Sequence, residues 1–341
     1  MGKTRTSKTL EDIAKKCDVS ISSVSRVLNN EPGVSADTRT RVLQVAEEYN
    51  YTPQKRKRPL TRSKLEILVV VPEEEELSVN PFLNIPELVS AISEAFREEK
   101  KRIEIVSIKD FENIQKEDLY ITDGVLVAYR DVSTSLRELM RSQEIPYVFL
   151  SRCISDENYV VCNSYKGMLK ICQHLIDMGH NRIGYLGNKS NLNNADRHRG
   201  YATAILETGL RYNVNLVHDV ESIYDVNSTT AEYFIQQGCD AIVSFNDYMA
   251  IRLINELAGA GKKIPEEISV TGFDDSPLRK VYKPLLTTIR QPMYEMGFLA
   301  SRWLRDNILY KSNRMLKIEV EGELLKGESV KKRDGSQPRF G

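Results

Sequence analysis

Apolar residues along this 341-residue chain keep two different rhythms, and the change between them divides it. Up to about Tyr51 the rhythm is helical. Thr9 and Ser20 stand where N-caps are wanted. Behind them Ile13, Ala14 and Cys17 share one face of a first helix, and Val24, Val27 and Leu28 one face of a second. Pro32-Gly33 breaks the chain, and Ser35 caps a third helix in which Val42, Val45, Ala46 and Tyr49 follow the i, i+3, i+4, i+7 rule. Residues 55–64 then hold six Lys or Arg in ten positions and read as a linker. From Leu65 onward short β-branched runs alternate with amphipathic stretches. Strands are expected at 66–71, 103–108, 124–128, 147–150, 182–186, 241–245 and 268–273, and helices near 86–99, 133–144, 165–179, 197–209, 228–237, 247–261 and 294–310. Such alternation predicts parallel sheets flanked by helices, here enough for two α/β lobes with a cleft between them. Ligands in sheets of this kind sit beyond the carboxyl ends of the strands.

Charge sharpens the division. The chain is neutral overall, yet residues 1–64 carry 14 Lys/Arg against 7 Asp/Glu, leaving the remainder with 34 against 41. A head of net +7 on a body of net −7 is the footprint of nucleic-acid binding by one end. The five cysteines (17, 153, 162, 172 and 239) are odd in number and lack Cys-x-x-Cys spacing, so neither a disulfide framework nor a zinc site is expected. The four histidines show no metal spacing. No apolar run approaches the length of a membrane span. The expectation is a cytoplasmic protein without a metal, cofactor or membrane partner.

The first two helices have the make-up of a helix-turn-helix. A recognition helix needs residues near its start that reach base edges, flanked by groups that bond phosphates. Ile21 and Ser22 occupy the first turn of the second helix, and Arg26 faces the same way four to five residues on. An arginine fork on guanine O6 and N7 discriminates by about 1–3 kcal/mol, whereas Ile21 offers only apolar contact, as to a thymine methyl. Thr9, Ser20, Ser23, Ser25 and Asn29 are short donors suited to phosphate oxygens, and Ser35 joins them as a DNA-facing cap.

These residues also resemble a known family. Thr-Leu-x-Asp-Ile-Ala (9–14), Val-Ser-x-x-x-Val-Ser-Arg-Val-Leu-Asn (19–29), Val-Ser-x-x-Thr-Arg (34–39) and Tyr-x-Pro (51–53) are similar to the head of the LacI/GalR family of bacterial transcription repressors. Further on, Asn80-Pro-Phe82, Asp123-Gly-Val-Leu126, Ile145-Pro146, Gly179-His-x-Arg-Ile183 and Arg197-x-x-Gly-Tyr201 resemble its body, as do Phe245-Asn-Asp247, Gly272-Phe-Asp-Asp275 and Leu286-Thr-Thr-Ile289. The resemblance implies an all-α helix-turn-helix head (1–54), a hinge (55–64), a periplasmic-binding-protein-like body of two lobes that binds effector and dimerises (65–330), and a polar tail (331–341). It further implies a homodimer on a palindromic operator, with a hinge helix that wedges Leu60 into the minor groove beside the basic Arg58. Lys57 and Pro59 depart from the family pattern there, so a basic, partly ordered arm with a weaker wedge is expected. For a small sugar-like effector the motif match points to Arg197, Asn246 and Asp274, with Phe82, Tyr224 and Gln291 beside them. Without a leucine heptad in the tail, a dimer rather than a tetramer is expected.

Two other readings stand beside this one. The body's partner could be a protein corepressor in place of a small ligand. Alternatively, the cleft could host an enzyme acting on a sugar. The second lacks its machinery: Gly184–Ser190 only superficially resembles a phosphate loop, because Asn188 replaces the glycine required before the lysine, and no Gly-x-Ser-x-Gly elbow occurs.

Overall fold

The structure is a computed structural model that describes residues 9–28, 33–49, 51, 64–73, 84–312 and 314–333. Three helices come first: α1 (Leu10–Cys17), α2 (Ile21–Leu28) and α3 (Ala36–Glu48). Thr9 begins α1 with a capping box, its hydroxyl accepting from Asp12 N while the Asp12 carboxylate accepts from Thr9 N. Asp18 ends it in the left-handed region at φ 52° and turns the chain into α2. Ser35 caps α3 by accepting from Thr38 N. Ile13, Ala14, Cys17, Val24, Val27, Val42 and Ala46 form the buried centre, with Val45 and Tyr49 packed against it. The helical rhythm of the sequence therefore closes a small core of its own.

The body contains two parallel sheets. The first combines β1 (Leu65–Val71), β2 (Lys101–Ser107), β3 (Gly124–Ala128), β4 (Tyr147–Leu150), β5 (Tyr159–Cys162) and a late strand, β11 (Lys317–Val320), in the order β11-β5-β4-β3-β1-β2. The second combines β6 (Ile183–Asn188), β7 (Val217–Val220), β8 (Ala241–Ser244) and β9 (Ser269–Thr271) in the order β7-β6-β8-β9. A short antiparallel pair, β10 (Thr288–Arg290) with β12 (Glu323–Leu325), completes the strands described.

Each sheet is covered on both faces. In the first lobe, helices Ile85–Ala95 and Met293–Tyr310 bury Leu88, Ile92, Met296, Ala300 and Leu304 against one face, while Phe111, Leu119, Leu136 and Met140 cover the other. In the second lobe, helices Ser164–Asp177 and Asn194–Glu207 cover one face, and Ser228–Gln236 and Asp247–Gly259 the other. Burying one such apolar side chain contributes about 1.5–3 kcal/mol. Both sheets reverse strand order, at β1/β3 and at β6/β8, and that reversal opens a crevice at the carboxyl edge. The chain passes between lobes after β5, after β10 and between β11 and β12. Among the described residues, no helix is long and apolar enough to cross a membrane.

The seven expected strands and seven expected helices are present, with ends displaced by a few residues. β5, β7, β10, β11 and β12 lie outside the expected set. They are three or four residues long, and β11 alternates exposed with half-buried positions, so no apolar run marks it. The stretch Gly184–Ser190 is strand β6 running into a loop. The hinge segment 55–63 and the tail from residue 334 lie outside the described residues, and the expectations on Pro59, Arg58, Leu60 and the tail fall there.

Candidate functional site

On the head, α2 turns Val24 and Val27 into the core and leaves Ile21, Ser22 and Arg26 outward, with Ile21 44% exposed. An isoleucine so exposed at a helix start has no packing role in the isolated head. Ser20 Oγ accepts from Ser23 N at 3.0 Å, which caps the helix, and shares hydrogen bonds with the hydroxyls of Ser22 and Ser23 at 2.8 Å. Thr9 and Ser35 likewise have their hydroxyls committed to caps. Ser25 is half-buried on α2. Asn29 lies outside the described residues. The outward face thus offers one cation, one apolar side chain and a row of hydroxyls, with helix geometry fixed by the same hydroxyls.

In the second lobe, four of the six expected effector residues come together. Arg197, in the first turn of helix Asn194–Glu207, is 3% exposed. Its guanidinium lies between the rings of Phe245 and Phe273, 4.3 and 3.8 Å from their centroids. One arm donates to the Phe245 carbonyl and another to Asp274 Oδ1 at 3.1 Å. Gln291 Nε2 donates to that same Oδ1 at 2.7 Å, so Oδ2 has no protein partner among the described residues. Arg197 Nε is buried and likewise without a protein partner among them. Asn246 caps helix Asp247–Gly259, its Oδ1 accepting from Met249 N at 3.0 Å. Its neighbour Phe245 holds Arg197.

Tyr224 does not join this group. It is 58% exposed in the turn Ile223–Asp225, where its ring and carbonyl face Arg252. Phe82 lies outside the described residues.

The loop that carries Asp274 is held from beneath by Asp247, which the sequence marks only as the end of the Phe245-Asn-Asp247 motif. Asp247 is fully buried; its Oδ2 accepts from Ser276 N at 2.7 Å and its Oδ1 from the Thr288 hydroxyl. The backbone passes so close at Gly272 that an added Cβ would lie 2.3 Å from Asp247 Oδ1. Asp274 and Asp275 then take positive φ, 115° and 55°. Asp275 is fixed by Arg290 at 2.9 Å and Arg279 at 3.5 Å. Burial, reinforced by the charge of Asp274, pushes the Asp247 carboxyl well above the usual carboxylate range. Burial also raises Asp274, but Arg197 and Gln291 act against that rise.

From the first lobe, Tyr129 and Ser151 follow β3 and β4 directly, both with positive φ (61° and 62°). The Tyr129 phenol is buried and its titration is shifted upward, first by burial and then by the charge of Asp274. A lone sequence gives no sign of these two, because they belong to the site only through the opposed carboxyl edges of two sheets. Two cavities of about 470 Å³ lie elsewhere on the first lobe, one beside Glu112 and Ser133 and one beside Glu66 and Arg102. Neither coincides with the buried polar cluster.

A helix-turn-helix head on a two-lobed α/β body with a polar cluster at its carboxyl edges defines a class: DNA-binding regulators built on a ligand-binding scaffold. Comparison with known proteins agrees. Residues 9–54 match the family described as bacterial regulatory proteins, lacI family, and residues 172–330 match the periplasmic binding protein-like domain. The chain is 28% identical to the HTH-type transcriptional repressor PurR of Photobacterium profundum, over 95% of this chain and 98% of that protein. It is also 28% identical to the HTH-type transcriptional regulator CelR of Thermobifida fusca, over 94% and 98%. Among solved structures, the transcriptional regulator CelR-cellobiose complex superposes with a TM-score of 0.66 at 25% identity, covering 94% of this chain and 99% of that one. The lac repressor dimer bound to operator and the anti-inducer ONPF shares the fold, with a TM-score of 0.63 at 22% identity over 96% and 100%. The head thus matches the lacI family of bacterial regulatory proteins, and over nearly its whole length the chain is similar to DNA-binding transcription regulators of that family.

Proposed function

We propose that this repressor binds a palindromic operator as a homodimer and that a small sugar-like ligand between its lobes sets its operator affinity. The observation that carries the ligand half is the cluster of buried Arg197 and Asn246 with half-buried Asp274 and Gln291 at the carboxyl edge of the second sheet. Asp274 Oδ2 and Arg197 Nε supply an acceptor and a donor without protein partners among the described residues, and Asn246 follows the phenylalanine that holds Arg197. Paired hydroxyls on one ring satisfy such a set, and Tyr129 and Ser151 close on it from the other lobe. Buried polar groups left unmatched cost about 1–3 kcal/mol each, so a ligand that satisfies them is selected over one that does not. The relative solved with cellobiose shows that this scaffold takes a sugar in that protein.

Ile21, Ser22 and Arg26 enter the major groove, and the hydroxyls at 9, 20, 23, 25 and 35 hold the phosphates. Ligand and operator are then linked through the lobes. A ligand that prefers one lobe arrangement by about 1–3 kcal/mol changes operator affinity roughly 5–150-fold. Selection of bound DNA by the purified protein, with and without a sugar panel, tests both halves. The expected result is an inverted-repeat sequence whose recovery changes with one class of sugar; a sequence recovered equally under every sugar would contradict the linkage.

A further inference from the structure

The three crossings between the lobes meet around one methyl group. The first leaves β5 at Cys162 and enters helix Ser164–Asp177. The second leaves β10 at Arg290 and enters helix Met293–Tyr310, and the third, Glu321-Gly322, joins β11 to β12. Ile289, just ahead of the second crossing, is fully buried. A Cβ added to Gly322 would lie 2.4 Å from Ile289 Cγ2, 3.2 Å from the Arg290 carbonyl oxygen and 3.3 Å from Cys162 Sγ. A Cβ added to Gly167, in the helix behind the first crossing, would lie 3.4 Å from the same Cγ2. One methyl of the second crossing is therefore seated between two glycines, one from each of the other two.

Hydrogen bonds fasten the same segments to one another. Asn163 N donates to Val320 O at 2.8 Å, and Asn163 Nδ2 to Glu319 Oε2 at 2.6 Å. Lys170 Nζ donates to Gly322 O at 3.1 Å, and Ile289 pairs with Leu324 across β10 and β12. Half-exposed ion pairs such as Lys166 with Glu321 contribute little by themselves, whereas close-packed buried contacts do not yield gradually, so the packing at the methyl governs this joint. It also touches the polar cluster. Asp274 N donates to Ile289 O at 2.8 Å. A Cβ on Gly167 would lie 2.7 Å from the Phe273 ring, which covers the Arg197 guanidinium at 3.8 Å. Each charged member of the cluster thus reaches the joint through a single intermediary, Phe273 for Arg197 and the Ile289 backbone for Asp274.

Hinges are a few element-terminal residues that absorb the backbone change when packed bodies turn. A rotation of one lobe against the other has to move these crossings past one another, and segments crowded around one methyl move only together. We propose that Ile289, seated between Gly167 and Gly322, is the positioning residue that locks the three crossings into one pivot and sets the angle between the lobes. This rests on the reading that lobe arrangement sets operator affinity, and it names the residues that set the arrangement. Glycine at 322 is then required by the close approach, since any side chain there drives the second and third crossings apart.

The test needs no effector, so it stands or falls apart from the sugar site. The full-length native protein is compared with Ile289→Val, Ile289→Ala, Gly322→Ala and the double variant Ile289→Ala/Gly322→Ala. Leu257→Ala, in the second-lobe core outside the joint, controls for lost packing. Hydrogen exchange follows residues 160–167, 287–292 and 319–324, small-angle scattering follows the lobes, and anisotropy follows binding to the selected operator. Valine keeps Cγ2 and is expected to match the native protein. Ile289→Ala is expected to quicken exchange in all three segments together by about tenfold or more, whereas Leu257→Ala leaves them within about twofold of native. Gly322→Ala is expected to alter the scattering profile and to change operator affinity by about fivefold or more. The double variant, with room for the added methyl, is expected to return both toward native. Exchange that rises in one segment alone, or as much in Leu257→Ala, would overturn the pivot. So would a folded Gly322→Ala protein with native scattering. Should Gly322→Ala fail to fold, the contrast of alanine with valine at 289 decides by itself. Altered scattering with native operator affinity would uphold the pivot and overturn the linkage of lobes to operator instead.

Discussion

Asp247 sits one residue after a helix cap, a place where an acidic side chain ordinarily faces solvent and the helix N-terminus. Here it is turned inward, ties Ser276 N and Thr288 together and supports the loop that presents Asp274. Its raised carboxyl gives a stability signature with a definite sign. A group that binds its proton more tightly in the folded state than in the unfolded one makes stability fall as pH rises from the ordinary carboxylate value to the raised folded value. Asp247→Asn reproduces the protonated shape, with an amide that donates to Thr288 and accepts from Ser276. That variant is expected to lose this pH slope, to match the native protein below that range and to be the more stable of the two above it. Asp247→Ala leaves two buried partners unmatched and is expected to cost about 2–5 kcal/mol. Urea denaturation of the three proteins across the acid-to-neutral range checks both, and an unchanged slope in the asparagine variant would contradict the assignment. On the head, Arg26→Ala is expected to weaken specific operator binding by about 1–3 kcal/mol, with a smaller effect on random duplex, measured by fluorescence anisotropy on both DNAs. Equal losses on the two would mean that Arg26 holds only phosphate. Arg197, Asn246 and Asp274 were legible in the sequence because short motifs carry them, whereas Gln291 lies two residues past the Leu286-Thr-Thr-Ile289 motif. Asp247 was visible only as the end of the Phe245-Asn-Asp247 motif, and Tyr129 and Ser151 carry no motif, since a strand register brings them to the same edge.

At the scale of elements, close approach of backbones decides where the site can form. Gly272 lies against the Cα and carboxylate of Asp247 and against Leu286, at 2.8, 2.3 and 2.7 Å from an added Cβ. Gly272→Ala is expected to displace the 272–276 loop, lowering ligand affinity more than global stability, because the clash is beside the buried carboxylate and Asp274 follows two residues later. Calorimetry beside thermal melting separates the two effects; a normal affinity with a lowered melting temperature would refute the expectation. The helices and longer strands were legible because their rhythm runs over many residues and caps mark their starts, as at Thr9 and Ser35. Strands β5, β7, β10, β11 and β12 were not. β10 and β12 have three residues each, and β7 and β11 gain their pairing from distant strands, so local sequence carries little trace of them.

For the whole molecule, the arrangement is that of a linkage between a basic reader and an acidic body. The head's surplus of seven positive charges predicts operator affinity that falls steeply with salt. The three crossings between lobes, after β5, after β10 and between β11 and β12, are the covalent route by which a ligand on one sheet edge can act on the other lobe. Near the last crossing, Lys166 and Lys170 hold Glu321 at 2.7 and 2.8 Å and draw its carboxyl down to about 2. The central claim is that occupancy of the Arg197–Asp274 cluster changes operator affinity. The most direct measurement is fluorescence anisotropy on the selected operator, at fixed salt, with and without saturating ligand, for the native protein and for Asp274→Asn. A change of roughly 5–150-fold in the native protein, lost in the variant at ligand concentrations that saturate the native protein, is the predicted result. An operator affinity that stays the same while calorimetry shows the native cleft full would contradict it.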